Sequence, residues 1–86
     1  MISIAMTTYN GNRYIKEQIN SILSQSLESW ELIICDDCSS DSTWKILTEY
    51  SKSDERIKIF RNKRNLGFKK NFEKAISKVE YCKMEK

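Results

Sequence analysis

Two adjacent aspartates, Asp36 and Asp37, follow an apolar run directly in the stretch ELIICDDCSSDST (residues 31–43). A carboxylate only accepts hydrogen bonds, so it suits an N–H group such as N3 of uracil or N1 of guanine, or the hydroxyls of a ribose. It would repel the unprotonated N3 of cytosine. Because an unpartnered buried carboxylate costs several kcal/mol, the pair must be held by local amides or kept for a ligand.

A second polar group, Thr7, Thr8 and Tyr9, ends the apolar run at residues 2–6. If the two runs are neighbouring parallel strands, both groups lie at the carboxyl edge of the sheet, where ligands bind in such folds. Tyr9 offers a flat surface on which a base can stack, although a half-buried structural aromatic explains it equally well. Successive strand residues point to opposite faces, so one aspartate can face the edge while the other holds the loop.

Other chemistries fit these residues less well. Magnesium-dependent phosphoryl transfer would explain a carboxylate pair at a strand end, and the sequence around Arg61 supports it weakly. A glycine-rich phosphate loop is excluded, because Gly11 and Gly67 are the only glycines and neither phosphate-binding fingerprint occurs. Cys35 and Cys38 form a C-x-x-C without a second ligand pair or any histidine, which favours a buried Cys35 and a loop Cys38 over metal or redox chemistry.

The apolar periodicity predicts the order strand, helix, strand, helix, strand, helix. The predicted strands are residues 2–6, 30–35 and 57–60, and the predicted helices are residues 13–25, a segment after Asp41, and residues 68–79. Asp41 is interpreted as a helix cap. This order indicates an α/β fold, a three-layer βαβαβα unit with a parallel sheet and right-handed crossovers. It corresponds to half of a doubly wound domain.

The composition is that of one small globular domain: 86 residues, 40% hydrophobic and 31% charged, with a net charge of +3. The positive charge is concentrated in the second half, where it suits nucleic acid, a phosphorylated ligand or an anionic membrane surface, or is simply a solvated face. No apolar run approaches the ~20 residues of a membrane span. Met1 leads directly into a strand-like run, which leaves no room for a secretory signal and predicts a cytoplasmic protein.

Three segments together resemble glycosyltransferase family 2, which has the GT-A fold: TTYNGNRYIKEQINSILSQS, WELIICDDCSSDST and RNLGFKKNFEKAI. The combination of T-x-Y-N, S-I-L-x-Q, D-D-x-S-x-D-x-T and N-L-G carries the resemblance, over roughly residues 2–78. It implies transfer of a sugar from a nucleotide-linked donor, UDP or dTDP type, to a glycan or cell-envelope polysaccharide. The implied nucleotide-binding residues are Thr7, Tyr9, Asp36, Asp37, Asn65 and Lys69.

The resemblance assigns a part to each of these residues. Tyr9 stacks on the base beside Thr7, and Asp37 accepts a hydrogen bond from the base. Asp36 supports the loop or the ribose, and Asn65 and Lys69 lie near the base or the phosphates. Cys38 departs from the family, which commonly has a glycine or another small residue there.

The chain also departs from the family at its end. The family continues into a fourth strand and a D-x-D motif that holds Mg²⁺ or Mn²⁺, whereas the last aspartate here is Asp54. Residues 79–81 look strand-like and residues 79–86 form an atypical tail. We therefore expect residues 1–86 to be a single partial domain, the N-terminal nucleotide-binding half, with no metal held by this chain alone and no catalysis by it alone. A truncated gene, a shortened piece and a genuine small protein all fit, and residues 2–6 would be an open sheet edge.

The leading hypothesis is therefore a glycosyltransferase fragment that binds a nucleotide-sugar, in the cytoplasm or at the inner face of the membrane. One alternative is a non-catalytic nucleotide-binding or interaction module. The other is a basic nucleic-acid-binding domain, although no nucleic-acid partner is expected on the leading hypothesis. The donor sugar, the acceptor and the stereochemical outcome do not follow from these residues.

Overall fold

A computed structural model describes residues 2–25 and 29–84 of the chain, with side chains described through residue 79. Within these residues the chain forms three strands and three helices in strict alternation. The strands are β1 (Ile2–Thr8), β2 (Trp30–Asp36) and β3 (Ile57–Arg61). The helices are α1 (Ile15–Leu23), α2 (Thr43–Ser53) and α3 (Phe68–Met84).

The three strands form one parallel sheet in the order β1-β2-β3. Thr8 pairs with Asp36, which pairs in turn with Arg61. The polar ends of all three strands therefore lie in one row at the carboxyl edge of the sheet. β1 lies at the edge of the described sheet, as the sequence predicts, and the predicted βαβαβα fold is confirmed.

One face of the sheet packs against α1 and α2. Alternate strand residues, such as Leu32 and Ile34 of β2, form a buried hydrophobic cluster with Ile15 and Ile19 of α1 and with Leu47 of α2. A strand places every second side chain on the same face, and the helices supply an apolar stripe at helical spacing. This cluster holds β2 rigidly between its neighbours.

The third helix packs against β1 and β2, and none of its described side chains belongs to that hydrophobic cluster. It therefore covers the opposite face, where Ala75 is fully buried. Asn71 is also buried on α3, and its Nδ2 donates to the carbonyl oxygen of Cys35, 2.9 Å away. This bond attaches the start of α3 to the end of β2.

The element boundaries differ from the predictions mainly at the carboxyl edge. Each strand extends one or two residues further than its apolar run, because polar residues there still pair in the ladder. The strand-like prediction for residues 79–81 is wrong, since Val79 to Tyr81 continue α3. No Gly or Pro interrupts residues 68–84, and Glu80, Lys83 and Met84 favour helix. The last two residues of the predicted tail, 85 and 86, lie outside the described residues.

The interpretation of Asp41 as the cap of α2 needs correction. Ser42 occupies the N-cap position without a capping side-chain bond. Asp41 lies one residue earlier, where its carboxylate accepts from the N–H and the hydroxyl of Thr43 and from the N–H of Asn12 at 3.3 Å. It thus stabilises the start of the helix and also holds the loop after β1.

No helix within the described part of the chain is long and apolar enough to cross a membrane.

The fully buried hydroxyl of Thr43 joins the two loops at the carboxyl edge. It accepts from the N–H of Gly11 at 2.9 Å and donates to Asp41. A valine has nearly the same shape but leaves the Gly11 N–H without its acceptor and removes one of the three donors to Asp41. We therefore expect Thr43→Val to lower the free energy of unfolding by about 1–3 kcal/mol, measured by urea unfolding.

Thr48→Val is the matched control, because the Thr48 hydroxyl only donates to the Trp44 carbonyl within its own helix. We expect this change to cost less than about 0.5 kcal/mol. Equal losses in the two variants would show that the loop-to-loop bond contributes nothing.

Candidate functional site

The carboxyl ends of β1 and β2 and the start of α3 enclose a cleft of about 480 Å³. This volume lies within the range of small-molecule pockets. The residues that line the cleft are Thr7, Thr8, Tyr9, Asp37, Asn65, Gly67, Phe68 and Asn71. Four of the six residues predicted for the site thus line one cleft, although they are up to 58 positions apart in the chain.

Tyr9 is 54% exposed and lies at the end of β1. The following residue, Asn10, adopts a left-handed conformation with φ of 49°, which asparagine tolerates better than most residues. The Asn10 N–H donates to Ser39 Oγ at 2.9 Å, and its Oδ1 accepts from the Ser40 N–H at 2.9 Å. The turn that carries Tyr9 is therefore fixed to the loop after β2.

Asp36 is fully buried, with 0% exposure. Its Oδ1 accepts from the hydroxyls of Thr8 at 2.7 Å and Ser39 at 2.6 Å, and its Oδ2 accepts from the Ser39 N–H at 2.9 Å. The Arg61 guanidinium lies 3.8 Å from Oδ2. These contacts join the ends of all three strands to the loop after β2, and they leave Asp36 facing protein on every side.

Asp37 is 3% exposed and lines the cleft. Its Oδ1 accepts from Asn62 Nδ2 at 2.9 Å and from the Leu66 N–H at 2.7 Å, while its Oδ2 accepts from the Gly67 N–H at 2.9 Å. Burial raises the pKa of Asp37, but these three hydrogen bonds and the nearby Lys74 outweigh burial and hold the pKa below its ordinary value. The carboxylate is therefore charged at neutral pH.

Two buried asparagines extend this arrangement. Asn62 Nδ2 donates both to Asp37 and to Asn71 Oδ1, the latter at 2.8 Å. Asn71 in turn donates to the Cys35 carbonyl. Among the described side chains, Asn62 Oδ1 is the buried polar atom that has no hydrogen-bond partner. A buried, largely satisfied chain of polar groups therefore fixes the floor of the cleft.

Of the two remaining predicted residues, Asn65 and Lys69, one lines the cleft and the other does not. Asn65 lines the cleft and its Nδ2 donates to the Asp37 carbonyl at 3.4 Å. Lys69 is exposed on the first turn of α3 and does not line the cleft. Sequence reasoning missed Gly67, Phe68 and Asn71, although the 76% exposed Phe68 follows directly from Gly67 in the N-L-G segment. An apolar side chain beside a glycine at a predicted helix start was the available signal.

Neither cysteine of the C-x-x-C pair forms a disulfide; Cys35 is buried and Cys38 lies in the loop after β2. Burial raises the pKa of the Cys35 thiol, in spite of the charges of Lys74 and Lys78. Within the described ranges, no three His, Cys, Asp or Glu side chains are grouped so that they could share a metal ion. Asp36 is fully buried among protein donors and no third such side chain is grouped with Asp36 and Asp37, so the described residues do not fit the divalent metal that the resemblance implies for longer members.

Comparison with known proteins decides the family. The profile of Glycosyl transferase family 2 matches residues 3–81 of this chain. The chain belongs to glycosyltransferase family 2. The family resemblance expected from the sequence motifs is therefore confirmed.

Relatives in this family include proteins of cell-envelope polysaccharide synthesis. The chain is 39% identical over 80 residues to the putative teichuronic acid biosynthesis glycosyltransferase TuaG of Bacillus subtilis, covering 93% of this chain and 32% of that protein. It is 44% identical over 62 residues to WfgD of Escherichia coli, a UDP-Glc:alpha-D-GlcNAc-diphosphoundecaprenol beta-1,3-glucosyltransferase, covering 72% of this chain and 24% of that protein.

Among solved structures, residues 1–349 of TarS from S. aureus in complex with UDP superpose on this chain with a TM-score of 0.81 and 30% identity. The match covers 90% of this chain and 23% of the TarS chain. This family 2 chain thus spans between about a quarter and a third of the length of these relatives.

The lowered pKa of Asp37 makes a prediction about acid stability. A carboxyl whose pKa is lower in the folded than in the unfolded state stabilises the fold above its unfolded pKa, which is about 3.9. That contribution disappears as the pH falls through the folded-state pKa. We therefore expect the wild-type family 2 chain to be more stable than Asp37→Asn at pH 7, with a gap that narrows from about pH 5 downward.

Urea unfolding of both proteins between pH 7 and pH 3 measures this gap. Each carboxylate oxygen of Asp37 accepts a hydrogen bond from one backbone N–H. Asparagine has one side-chain oxygen and an NH2 group, which cannot accept, so at least one of these two hydrogen bonds is lost in the variant. A gap that stays constant over this pH range would contradict the assignment of the stabilisation to the ionised carboxylate.

The presence of Cys38, where the family commonly has a glycine or another small residue, leads to a second prediction. Cys38 has a φ of 62°, a left-handed conformation that costs a residue with a Cβ about 1–2 kcal/mol. Glycine avoids that cost but loses about 0.5–1 kcal/mol more conformational entropy on folding. We expect Cys38→Gly to raise the free energy of unfolding by about 0.5 kcal/mol and Cys38→Val to lower it, since β-branched residues tolerate this region least. Thermal unfolding measures both, and a stabilising Cys38→Val would refute the argument.

Proposed function

We propose that this family 2 chain is the donor-binding part of a glycosyltransferase and that its cleft binds the nucleotide of a UDP- or dTDP-linked sugar. The observation that carries the proposal is that the exposed ring of Tyr9 and the charged carboxylate of Asp37 line the same cleft. The UDP complex of TarS and the UDP-Glc specificity in the name of WfgD support a uridine nucleotide.

Asp37 selects the base in this proposal. Among the described residues, Oδ1 already accepts two hydrogen bonds whereas Oδ2 accepts one, from the Gly67 N–H. A carboxylate oxygen can accept two, so Oδ2 has capacity for the N3–H of uracil or thymine. Cytosine presents an unprotonated nitrogen at that position, and the negative carboxylate would repel it.

Tyr9 supplies the stacking surface, and Thr7 and Asn65 contribute polar groups to the lining of the cleft. Asp36 has a supporting part, because its carboxylate holds Thr8 and Ser39, its side chain has no exposed surface, and it does not line the cleft. Lys69 receives no part in base binding, since it lies outside the cleft lining.

The proposal assigns these residues to binding and orienting the donor, not to the transfer step. Mg²⁺ or Mn²⁺ supplies Lewis-acid stabilisation of the departing nucleotide when it is bound in longer members, but the described residues do not form a site for it. We expect this chain alone to bind a nucleotide without transferring sugar. For an intact enzyme that contains this part, we propose a glycan or cell-envelope polysaccharide as the acceptor, reached in the cytoplasm or at the inner face of the membrane.

Calorimetric titration of the 86-residue chain with UDP, dTDP and CDP tests the proposal. We expect UDP and dTDP to bind more tightly than CDP, with the same affinity in Mn²⁺ and in EDTA. Tyr9→Ala should weaken UDP binding about tenfold, because stacking of a base on an aromatic ring contributes ~1–3 kcal/mol.

Tyr14→Ala is the matched control, since Tyr14 is 51% exposed but does not line the cleft. It should leave UDP affinity unchanged. Failure of UDP to bind the folded chain, or an equal effect of the two tyrosine changes, would refute the proposal. Salt-sensitive competition by single-stranded RNA would favour the basic nucleic-acid-binding alternative instead.

A further inference from the structure

A second pocket, distinct from the nucleotide cleft, lies on the other side of the connection between β3 and α3. Its volume is about 550 Å³. It is lined by Arg61, Asn62, Lys63, Arg64, Leu66 and Lys74, and it shares no lining residue with the cleft that contains Tyr9 and Asp37. Four of its six lining residues are cationic, and none is acidic. We call it the cationic pocket.

Two of these four charges are already offset. Arg61 lies 3.8 Å from the fully buried Asp36, and it also donates to the Ser39 carbonyl at 2.9 Å. Lys74 lies close enough to Asp37 to lower the pKa of that carboxyl. Asp36 and Asp37 thus each offset positive charge of one of these two residues.

Lys63 and Arg64 are different. Both side chains are exposed, and neither takes part in an ion pair formed by the described residues. Two uncompensated positive charges therefore remain beside a concave surface. Guanidinium and ammonium groups in such a position bind phosphate oxygens through short, charge-assisted hydrogen bonds.

The support for these two residues is rigid. Asn62 and Leu66, on either side of them, are both held by the carboxylate of Asp37. The Lys63 carbonyl accepts a weak contact from Cys38 Sγ at 3.8 Å. The backbone that carries Lys63 and Arg64 is thus held in place, and ordering it costs less conformational entropy when an anion binds than ordering a mobile loop would.

We propose that the cationic pocket binds a phosphate monoester. Its net excess of about two positive charges matches the charge of a monoester, about −1.5 to −2 at pH 7. A phosphodiester, such as the headgroup of phosphatidylglycerol, carries only one negative charge and matches less well. The site is separate from the nucleotide cleft, so this inference does not depend on the proposed donor binding.

Titration of the ¹⁵N-labelled chain with glycerol 3-phosphate, followed by amide chemical shifts, tests the proposal. We expect shifts at residues 61–66 and 74, and little change at Tyr9 and Thr7. Dimethyl phosphate should bind more weakly. The same titration in the presence of saturating UDP should give the same affinity, and competition between the two would overturn the claim of a second site.

Charge-matched variants separate the pocket from general electrostatics. The double change Lys63→Ala and Arg64→Ala should weaken glycerol 3-phosphate binding about tenfold or more, as expected for loss of hydrogen bonds to a charged group. Lys69→Ala with Lys70→Ala removes the same charge from exposed positions outside the pocket, and should change affinity less than twofold. Equal losses would overturn the proposal.

A vesicle-binding experiment distinguishes a soluble phosphate monoester from a lipid headgroup as the ligand. The chain is sedimented with vesicles of phosphatidylcholine alone and with vesicles containing phosphatidylglycerol. Binding to the anionic vesicles without measurable binding of glycerol 3-phosphate would overturn the assignment to a monoester. Glycerol 3-phosphate binding that is lost in the Lys63 and Arg64 variant supports it.

Discussion

The solvation of one buried carboxylate determines how the carboxyl edge of this chain is built. Asp37 follows the central strand and has almost no exposed surface, so its charge must be stabilised by protein donors. The three donors come from Asn62 at the end of β3 and from the Leu66 and Gly67 N–H groups just before α3. The loop can satisfy Asp37 only when it closes against β2, and this closure places Asn65 and Phe68 around the cleft. The position of α3 and the wall of the cleft are therefore consequences of the same requirement.

Much of the fold follows from apolar spacing and from the rules of parallel sheets. The buried run Leu32–Ile34 fits a strand covered on both faces, and the spacing of Ile15 and Ile19 places one face of a helix against it. Parallel pairing then brings Thr7 and Asp37 to the same edge although they are 30 positions apart. Strand ends were less predictable, since polarity marks where burial ends, whereas the hydrogen-bonded ladder continues through Thr8 and Asp36.

The different roles of the two aspartates could not be predicted from the residues next to them in the sequence. Alternation along the strand requires that Asp36 and Asp37 point to opposite faces, but it does not say which one meets the cleft. That depends on Thr8 and Asn62, residues 28 and 25 positions away in sequence. The same limitation applies to α3. Phe68 lines the cleft and Lys69 does not, and this difference rests on a rotation of about 100° per residue, which the loop geometry sets and the sequence alone does not.

In the connection between β3 and α3, some residues are tightly constrained in conformation and others are not. Toward the cleft, Gly67 has a φ of +88°, which a residue with a Cβ rarely adopts. Within the connection, buried Asn62 donates to both Asp37 and Asn71, so the backbone conformation is tightly constrained. On the other side, Lys63 and Arg64 have exposed side chains that none of the described ion pairs uses. Substitutions there can change the surface charge without disturbing Asp37. One loop can thus form a wall of the cleft that contains Tyr9 and Asp37 and also a wall of the cationic pocket, because the buried carboxylate fixes its backbone and leaves its outer side chains free to vary.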